Sequence, residues 1–361
     1  MARPAVYKTD RLSGALSIIA GDRQGRPNRP NGECPFCVGG LEAPNTYDVL
    51  AFQNRWPTLM NGAATQTASE AQRAADRFDR HDTTPLSDDQ ISASSSRDVA
   101  IGTCEVVLYS PEHSQTMATL RHRQIEAVIE LWADRTAALR SRPDTRHVLI
   151  FENSGRDVGA TIAHPHGQIF AFAEEPPVLA AERHRSLNAC AVCDELVAED
   201  GGPRGVIAND SWSAFVPEGA GYPYEVRLSL RRHVAFLDLM DHAERSDLAW
   251  ALSGLAGVYQ SLFDTPMPYM MWLHQGLHTH VHFVPIWRSR GVQRYVAGGE
   301  LGSGILINPV RPDDAAAALR RTEQGRTEQG RTEQGRTEQG RTEQGTTEQG
   351  TTEQDGAKQG S

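Results

Sequence analysis

The sequence predicts an α+β fold of two related domains followed by a disordered C-terminal tail, and three observations carry that expectation. A cysteine pair, a histidine, an amphipathic helix and a second histidine occur in that order as Cys34/Cys37, His113 and His164, and again as Cys190/Cys193, His233 and His278. Strand-like runs alternate with helical periods through the body of the chain. From Arg321 the sequence becomes tandem Arg-Thr-Glu-Gln-Gly units, drifting to Thr-Thr-Glu-Gln-Gly, with almost nothing apolar to bury.

The expected organisation is an N-terminal domain over 1–185, a C-terminal domain over 186–320 and the repeat tail over 321–361. Within the first domain, 62–98 is rich in Ala, Ser, Thr, Asp and Gln with no sustained apolar period, so it reads as a flexible surface insertion. Val106 to Tyr109 and Val148 to Phe151 read as strands. Arg121 to Arg142 reads as a helix, with Ile125, Val128, Ile129, Trp132 and Leu139 at helical spacing. A second helix is expected from Ala243 to Phe263, with Leu248, Leu252, Leu255, Val258 and Leu262 on one face. No Gly-rich nucleotide fingerprint accompanies the alternation, which disfavours a dinucleotide-binding parallel sheet.

Composition excludes several function classes. The 361 residues carry a formal charge of −10, which argues against wrapping nucleic acid, because a phosphate-neutralising surface needs excess Lys and Arg. No run approaches the roughly 20 apolar residues that span a bilayer, and no charged-then-apolar secretory pattern opens the chain. A cytoplasmic location without membrane attachment is expected. In a reducing cytosol, the two Cys-x-x-Cys pairs among five cysteines read as metal ligands before disulfides.

Zinc needs four soft or borderline donors, and a Cys-x-x-Cys knuckle supplies two thiolates from one tight turn. Cys34, Cys37, His113 and His164 form the first expected set, against the bland alternative of reduced cysteines beside unrelated histidines. Cys190, Cys193, His233 and His278 form the second, although His274, His280 and His282 compete for its last place. A closed four-ligand zinc contributes folding energy and leaves no position open for chemistry, so both sites read as scaffold.

The densest polar motif is His164-Pro165-His166-Gly167-Gln168. In an extended strand, residues two apart share a face, which would set His164, His166 and Gln168 side by side. A neutral imidazole near pH 7 is a competent nucleophile once a hydrogen bond to its other nitrogen fixes the tautomer. His166 is the candidate nucleophile. Gln168 can donate to a phosphoryl oxygen as charge develops, and Gly167 allows close approach of a phosphate to the backbone.

On these residues the chain resembles the galactose-1-phosphate uridylyltransferase family, a branch of the histidine triad superfamily. His164 to Phe170 is similar to the family's active-site signature, and Phe151 to Gly155 with Gly159 and Thr161 resembles its phosphate-binding stretch. The likeness extends through Phe52 to Trp56, Ser110 to Ser114, Pro223 to Val226 and Arg294 to Glu300. It implies two histidine-triad-like domains, mainly antiparallel sheet with packed helices. It also implies transfer of a uridylyl group from UDP-glucose to galactose 1-phosphate through a covalent intermediate on His166, with no cofactor beyond structural zinc.

Carried over by motif, Arg23 and Arg26 correspond to a basic pair near the diphosphate, and Phe52, Asn54 and Trp56 to residues of the nucleoside pocket. Asn153, Gly159, Thr161 and Gln168 correspond to substrate-binding positions. Arg294, Tyr295 and Glu300 correspond to the segment that reads the hexose phosphate from the partner subunit, so a homodimer is implied. Ala163 stands where the family commonly has proline, Arg294 stands where it has lysine, and the loop between His274 and His278 is shorter than usual. Some members bind iron with a glutamate and histidines near that loop, whereas the Cys190/Cys193 pair suggests the zinc-bearing variant. The alternatives are a nucleoside-diphosphate-sugar phosphorylase or adenylyltransferase on the same scaffold, and a noncatalytic zinc-stapled nucleotide-binding protein.

Overall fold

The computed structural model describes residues 5–21, 33–61 and 99–329. The expected insertion, 62–98, lies outside them. A short antiparallel hairpin, β1 (Val6–Thr9) and β2 (Leu16–Ile19), precedes the body. The first half then runs β3 (Leu50–Gln53), β4 (Gly102–Leu108), helix α1 (His122–Arg140), β5 (His147–Ser154) and β6 (His166–Phe172). Helices α2 (Pro177–Arg185) and α3 (Ala191–Glu199) lead into the second half. That half runs β7 (Gly205–Ala208), β8 (Trp212–Phe215), β9 (Val226–Leu230), α4 (His242–Ser261), β10 (Tyr269–His274) and β11 (His280–Pro285). A two-stranded ribbon, β12 (Trp287–Ser289) with β13 (Val292–Gln293), and helix α5 (Gly298–Ser303) follow. A last helix, α6, covers 312–329.

The two halves share one antiparallel nine-stranded sheet in the order β3-β4-β6-β5-β10-β11-β9-β8-β7. Its centre is the pair β5/β10, and outward from there the order β6, β4, β3 on one side is matched by β11, β9, β8 on the other. The long helix falls between the second and third strand of each set. The repeat read from the sequence is thus a structural repeat, and the two units are joined by backbone hydrogen bonds rather than by a linker alone. Each unit has an edge strand that would otherwise present unpaired N–H and C=O groups, and pairing β5 with β10 closes both.

Amphipathic periodicity explains the helices. Ile125, Val128, Ile129, Trp132 and Leu139 of α1 and Leu248, Leu252, Leu255 and Val258 of α4 are buried in a single core that also takes residues from strands of both halves. The start of α4 is fixed by a capping box: the Asp241 carboxylate accepts from Glu244 N, and Glu244 accepts from Asp241 N, each at 2.9 Å. Burial of such a face outweighs modest intrinsic propensity, which is why both helices follow their apolar period so closely.

The expected tail start is overrun by a helix, and the expected boundary at 186 is crossed by a side-chain contact. Helix α6 continues through the first repeat unit and most of the second, past the expected tail start at 321. Ala315, Ala316 and Leu319 are buried in the main core, and the Arg326 guanidinium lies against Gly254 and Gly257 of α4, where a side chain at 257 would collide with it. Glu323 pairs with Arg326 at 2.8 Å one turn later. A polar repeat is helical here because an apolar segment upstream docks and carries it. Residues 330–361 lie outside the described residues. At the other boundary, α2 falls before 186 but its Glu182 reaches His274 of the second half.

Candidate active site and metal centres

The turn Cys34–Cys37, the segment after β4 and the bend before β6 bring four donors together. Cys34, Cys37, His113 and His164 offer ligand atoms all within 4.8 Å of one another. Sulfur-to-nitrogen separations are 3.5 Å for Cys37–His113, 3.7 Å for Cys37–His164 and 3.9 Å for Cys34–His164. Tetrahedral zinc with Zn–S near 2.3 Å and Zn–N near 2.0 Å requires an S···N edge of about 3.6 Å, so the donor set fits. Nε2 of His164 lies 2.7 Å from the Ser110 carbonyl oxygen and 2.9 Å from the Tyr47 hydroxyl, a partner arrangement that turns Nδ1 toward the thiols. Burial lowers the His164 pKa, keeping the imidazole neutral as a ligand must be. Sequence reasoning did not find Tyr47, since a lone tyrosine far along the chain carries no signal.

The second half repeats this set. Cys190, Cys193, His233 and His278 cluster equally tightly, with S···N separations of 3.4 Å for Cys190–His278 and Cys193–His233 and 3.3 Å for Cys193–His278. Nε2 of His278 meets the Leu230 carbonyl at 2.7 Å, the counterpart of His164 on Ser110. Burial, with the neighbouring Cys190 thiol, pushes Cys193 up to about 11, so a cation is needed to hold the pair as thiolates.

The histidines left over form a third group. His274, His280 and His282 converge with Glu182 of α2, again within 4.8 Å. His274 Nδ1 is 2.9 Å from Glu182 and His280 Nε2 is 3.7 Å away, while the buried Nε2 of His282 has no hydrogen-bond partner. A buried orphan nitrogen facing a carboxylate and two imidazoles fits a cation with nitrogen and oxygen ligands. By resemblance, the glutamate–histidine arrangement and the Cys190/Cys193 set are alternative variants. The short β10–β11 turn satisfies both, because His278 points to the thiols and its neighbours two and four residues on point to Glu182.

His166 opens β6, paired with Leu108 of β4. His164 sits in the bend before the strand rather than in it, so the shared-face argument holds for His166 and Gln168 alone. Nδ1 of His166 lies 2.8 Å from the His164 carbonyl oxygen. That bond places the proton on Nδ1 and the lone pair on Nε2. The Phe36 ring packs against His166 at 5.2 Å. A side chain at Gly167 would meet the Tyr109 hydroxyl, 2.1 Å from an added Cβ, so glycine is required for packing beneath the strand.

Three cavities converge on His166. One of about 280 Å³ is lined by Phe36, Phe52, Asn54, Trp56, His166 and Gln168, an aromatic slot with a polar inner end. Asn54 Nδ2 donates to Gln168 Oε1 at 3.3 Å. Another, of about 490 Å³, is lined by Asn153, Gly159, Thr161, His166 and Gln168, with Ile18 of the N-terminal hairpin as an outer wall. A third, of about 390 Å³, opens between 152–156 and 163–166. The expected nucleoside-pocket and phosphate-stretch residues are therefore gathered around one imidazole.

Arg294, Tyr295 and Glu300 are elsewhere. Arg294 is buried, ion-paired with Glu300 and stacked over Tyr222 at 4.3 Å, while Glu300 also accepts from Ala297 N and Ile307 N. Tyr295 is 76% exposed, and Leu301, Ile305 and Ile307 beside it are exposed as well. Within one chain this segment lines none of the three cavities. Arg23 and Arg26 lie outside the described residues.

The chain is similar to known proteins over most of its length. The family model described as the N-terminal domain of galactose-1-phosphate uridyl transferase matches residues 34–176, and that of the C-terminal domain matches 196–328. A galactose-1-phosphate uridylyltransferase of Thermotoga maritima is 34% identical over 329 residues, covering 86% of this chain and 96% of that protein. A solved uridylyltransferase structure superposes with a TM-score of 0.73 at 26% identity, covering 89% of this chain and 99% of the other. An ADP-glucose phosphorylase from Arabidopsis thaliana shares the fold, with a TM-score of 0.63 at 19% identity over 88% of this chain and 98% of its own.

Proposed function

The chain belongs to the galactose-1-phosphate uridylyltransferase family, and we propose that it moves the uridylyl group of UDP-glucose to galactose 1-phosphate through a covalent bond to Nε2 of His166. Nε2 attacks the α-phosphorus, the N–P bond forms and the bond to glucose 1-phosphate breaks. A phosphate oxygen of galactose 1-phosphate then attacks the same phosphorus, the N–P bond breaks and UDP-galactose leaves. Each displacement inverts phosphorus, so the net outcome is retention.

The observation that carries this reading is the 2.8 Å contact between His166 Nδ1 and the His164 carbonyl. An imidazole uridylylated on Nε2 that keeps its Nδ1 proton is a cation, and a fixed carbonyl dipole stabilises that charge as it develops. Gln168 donates to a phosphoryl oxygen, held by Asn54. Phe52 and Trp56 hold the base, Asn153, Gly159 and Thr161 the phosphate and hexose, and Arg23 and Arg26 the diphosphate. Zinc held by the two groups of paired cysteines and histidines would supply closed structural bonds, and a divalent cation held by Glu182, His274, His280 and His282 would brace the second half in the same way. Reduced thiols in both sets suit the cytoplasm, and no helix of the described residues is long and apolar enough to cross a membrane.

The exposed apolar segment around Tyr295 supports a homodimer in which a second copy would cover it. The Arg294–Glu300 pair holds that segment in shape so that it can complete the hexose side of the partner's site.

The test is incubation with UDP-glucose alone, an alkaline quench to preserve the phosphoramidate, and peptide mapping. One uridylyl adduct on His166, discharged by galactose 1-phosphate to UDP-galactose, is the expected result. Discharge by inorganic phosphate but not by the sugar phosphate would make the protein a phosphorylase. No adduct from UDP-glucose or ADP-glucose on folded, metal-replete protein would leave a binding protein.

A further inference from the structure

The ladder between β5 and β6 ends at Phe151↔Gln168. Beyond it, residues 152–154 lose their partner on the His166 side and pair only with β10, as Glu152↔Met271, Asn153↔Met270 and Ser154↔Tyr269. The gap so opened is the 390 Å³ cavity beside His166. Asn153, which also lines the neighbouring 490 Å³ cavity with His166, is therefore set by contacts to the second half of the molecule.

Two contacts fix this half-paired stretch. The buried Tyr269 hydroxyl donates to Glu152 Oε1 at 3.0 Å, a diagonal cross-strand bond that spans the position of Asn153. Gly155, at φ +99°, packs on Pro268, and an added Cβ would come within 2.9 Å of the proline ring. Tyr269 is itself immobilised by Tyr259 of α4 and Phe283 of β11, with ring centroids 5.6 and 5.5 Å away. On the cavity side, Glu152 Oε2 and the neighbouring Tyr109 hydroxyl are buried without hydrogen-bond partners of normal geometry. A buried carboxyl that makes one firm bond carries a desolvation cost which that bond offsets only in part.

We propose that Glu152 and Tyr269 are positioning residues through which the second half holds Asn153 at the distance from His166 that the reaction needs. The proposal rests on His166 being the nucleophile. The nucleoside slot is walled mainly by residues of 35–42 and 52–56, closes on His166 and Gln168, and shares no residue with 152–155, so loss of the bond should change the rate of transfer and leave nucleoside affinity alone.

The experiment compares wild type, Tyr269→Phe and Glu152→Gln. It measures the first-order rate of His166 uridylylation at saturating UDP-glucose, the dissociation constant for uridine, and the melting temperature. Tyr269→Phe should slow labelling about tenfold or more, as small misplacements of reacting groups do, with the uridine dissociation constant within about twofold of wild type. Glu152→Gln keeps an acceptor for Tyr269 and should label within about threefold of wild type. If Tyr269→Phe fails to fold, Gly155→Ala displaces the same stretch from its other end and should show the same split. Wild-type labelling rates in a folded Tyr269→Phe, or a rate loss matched by an equal loss of uridine affinity, would overturn the proposal. An unlabelled wild type would instead bring down the nucleophile itself, which the wild-type arm alone reveals.

Discussion

His166 and His280 make the same hydrogen bond in opposite halves of the molecule: Nδ1 of each lies 2.8 Å from the carbonyl oxygen two residues before it, that of His164 in one case and of His278 in the other. The position that faces open cavities in the first half faces Glu182 in the second. Replacing His166 by Asn should abolish covalent labelling by UDP-glucose. His280→Ala should instead lower bound metal by about one equivalent per chain while both thiolate sites stay filled, read by elemental analysis of the purified protein.

Gly167→Ala should lower stability by about 1–3 kcal/mol and cut labelling, because its Cβ would meet the Tyr109 hydroxyl. Adding Tyr109→Phe removes that oxygen, leaving the ring carbon and the Phe151 carbonyl at 3.0 and 3.1 Å, so partial recovery is expected in a thermal melt. A double variant no better than the single one would show that the strain lies elsewhere.

Glu152 gives a pH dependence with a definite sign. Burial raises its pKa from 4.5 to about 7, against the opposing effect of the Tyr269 hydrogen bond and the nearby Tyr109 hydroxyl. Between those values the folded chain holds a proton that the unfolded chain has lost, so the stability contributed by this group falls as pH rises through the window. Glu152→Gln removes the effect. Its melting temperature relative to wild type should therefore rise between pH 5 and pH 8, and a pH-independent difference would refute the assignment.

Removing the thiolate metals should loosen both ends of the sheet. The Cys34 turn carries Phe36 into the proposed nucleoside slot, and Glu42 N donates back to the Pro35 carbonyl at 3.0 Å, so the same turn that offers two thiols to a metal walls that cavity. Chelation is expected to lower the melting temperature by on the order of 10 °C and to weaken UDP binding. Because the Cys193 thiol lies near 11 and Cys37 is also raised, metal uptake must expel protons, and its apparent affinity should increase with pH.

Helix α6 shows what local sequence hides. Deleting 312–361 should cost about 3–5 kcal/mol more than deleting 330–361, because only the longer cut removes Ala315, Ala316 and Leu319 from the core. Repeat composition read alone marks 321 as the end of order, yet the docked upstream turns carry the helix to 329. The same limit applies at the site. His164 to Gln168 and the two cysteine pairs were legible because each concentrates its chemistry within a few residues. Glu182, Tyr47, Glu152 and Tyr269 were not, since each is a single ordinary side chain whose role exists only through partners 92, 117 or more residues away. The joining of both halves into one sheet was equally hidden, for no local pattern states which edge meets which.

That junction has a further meaning. With β5 against β10 and the strand order mirrored outward, the chain has the layout of two like units set edge to edge within one polypeptide. Units on a single chain need not be identical. One could keep an imidazole facing open space while the other turned the matching imidazole onto a carboxylate, a division of labour that a symmetric pair of separate chains could never have made.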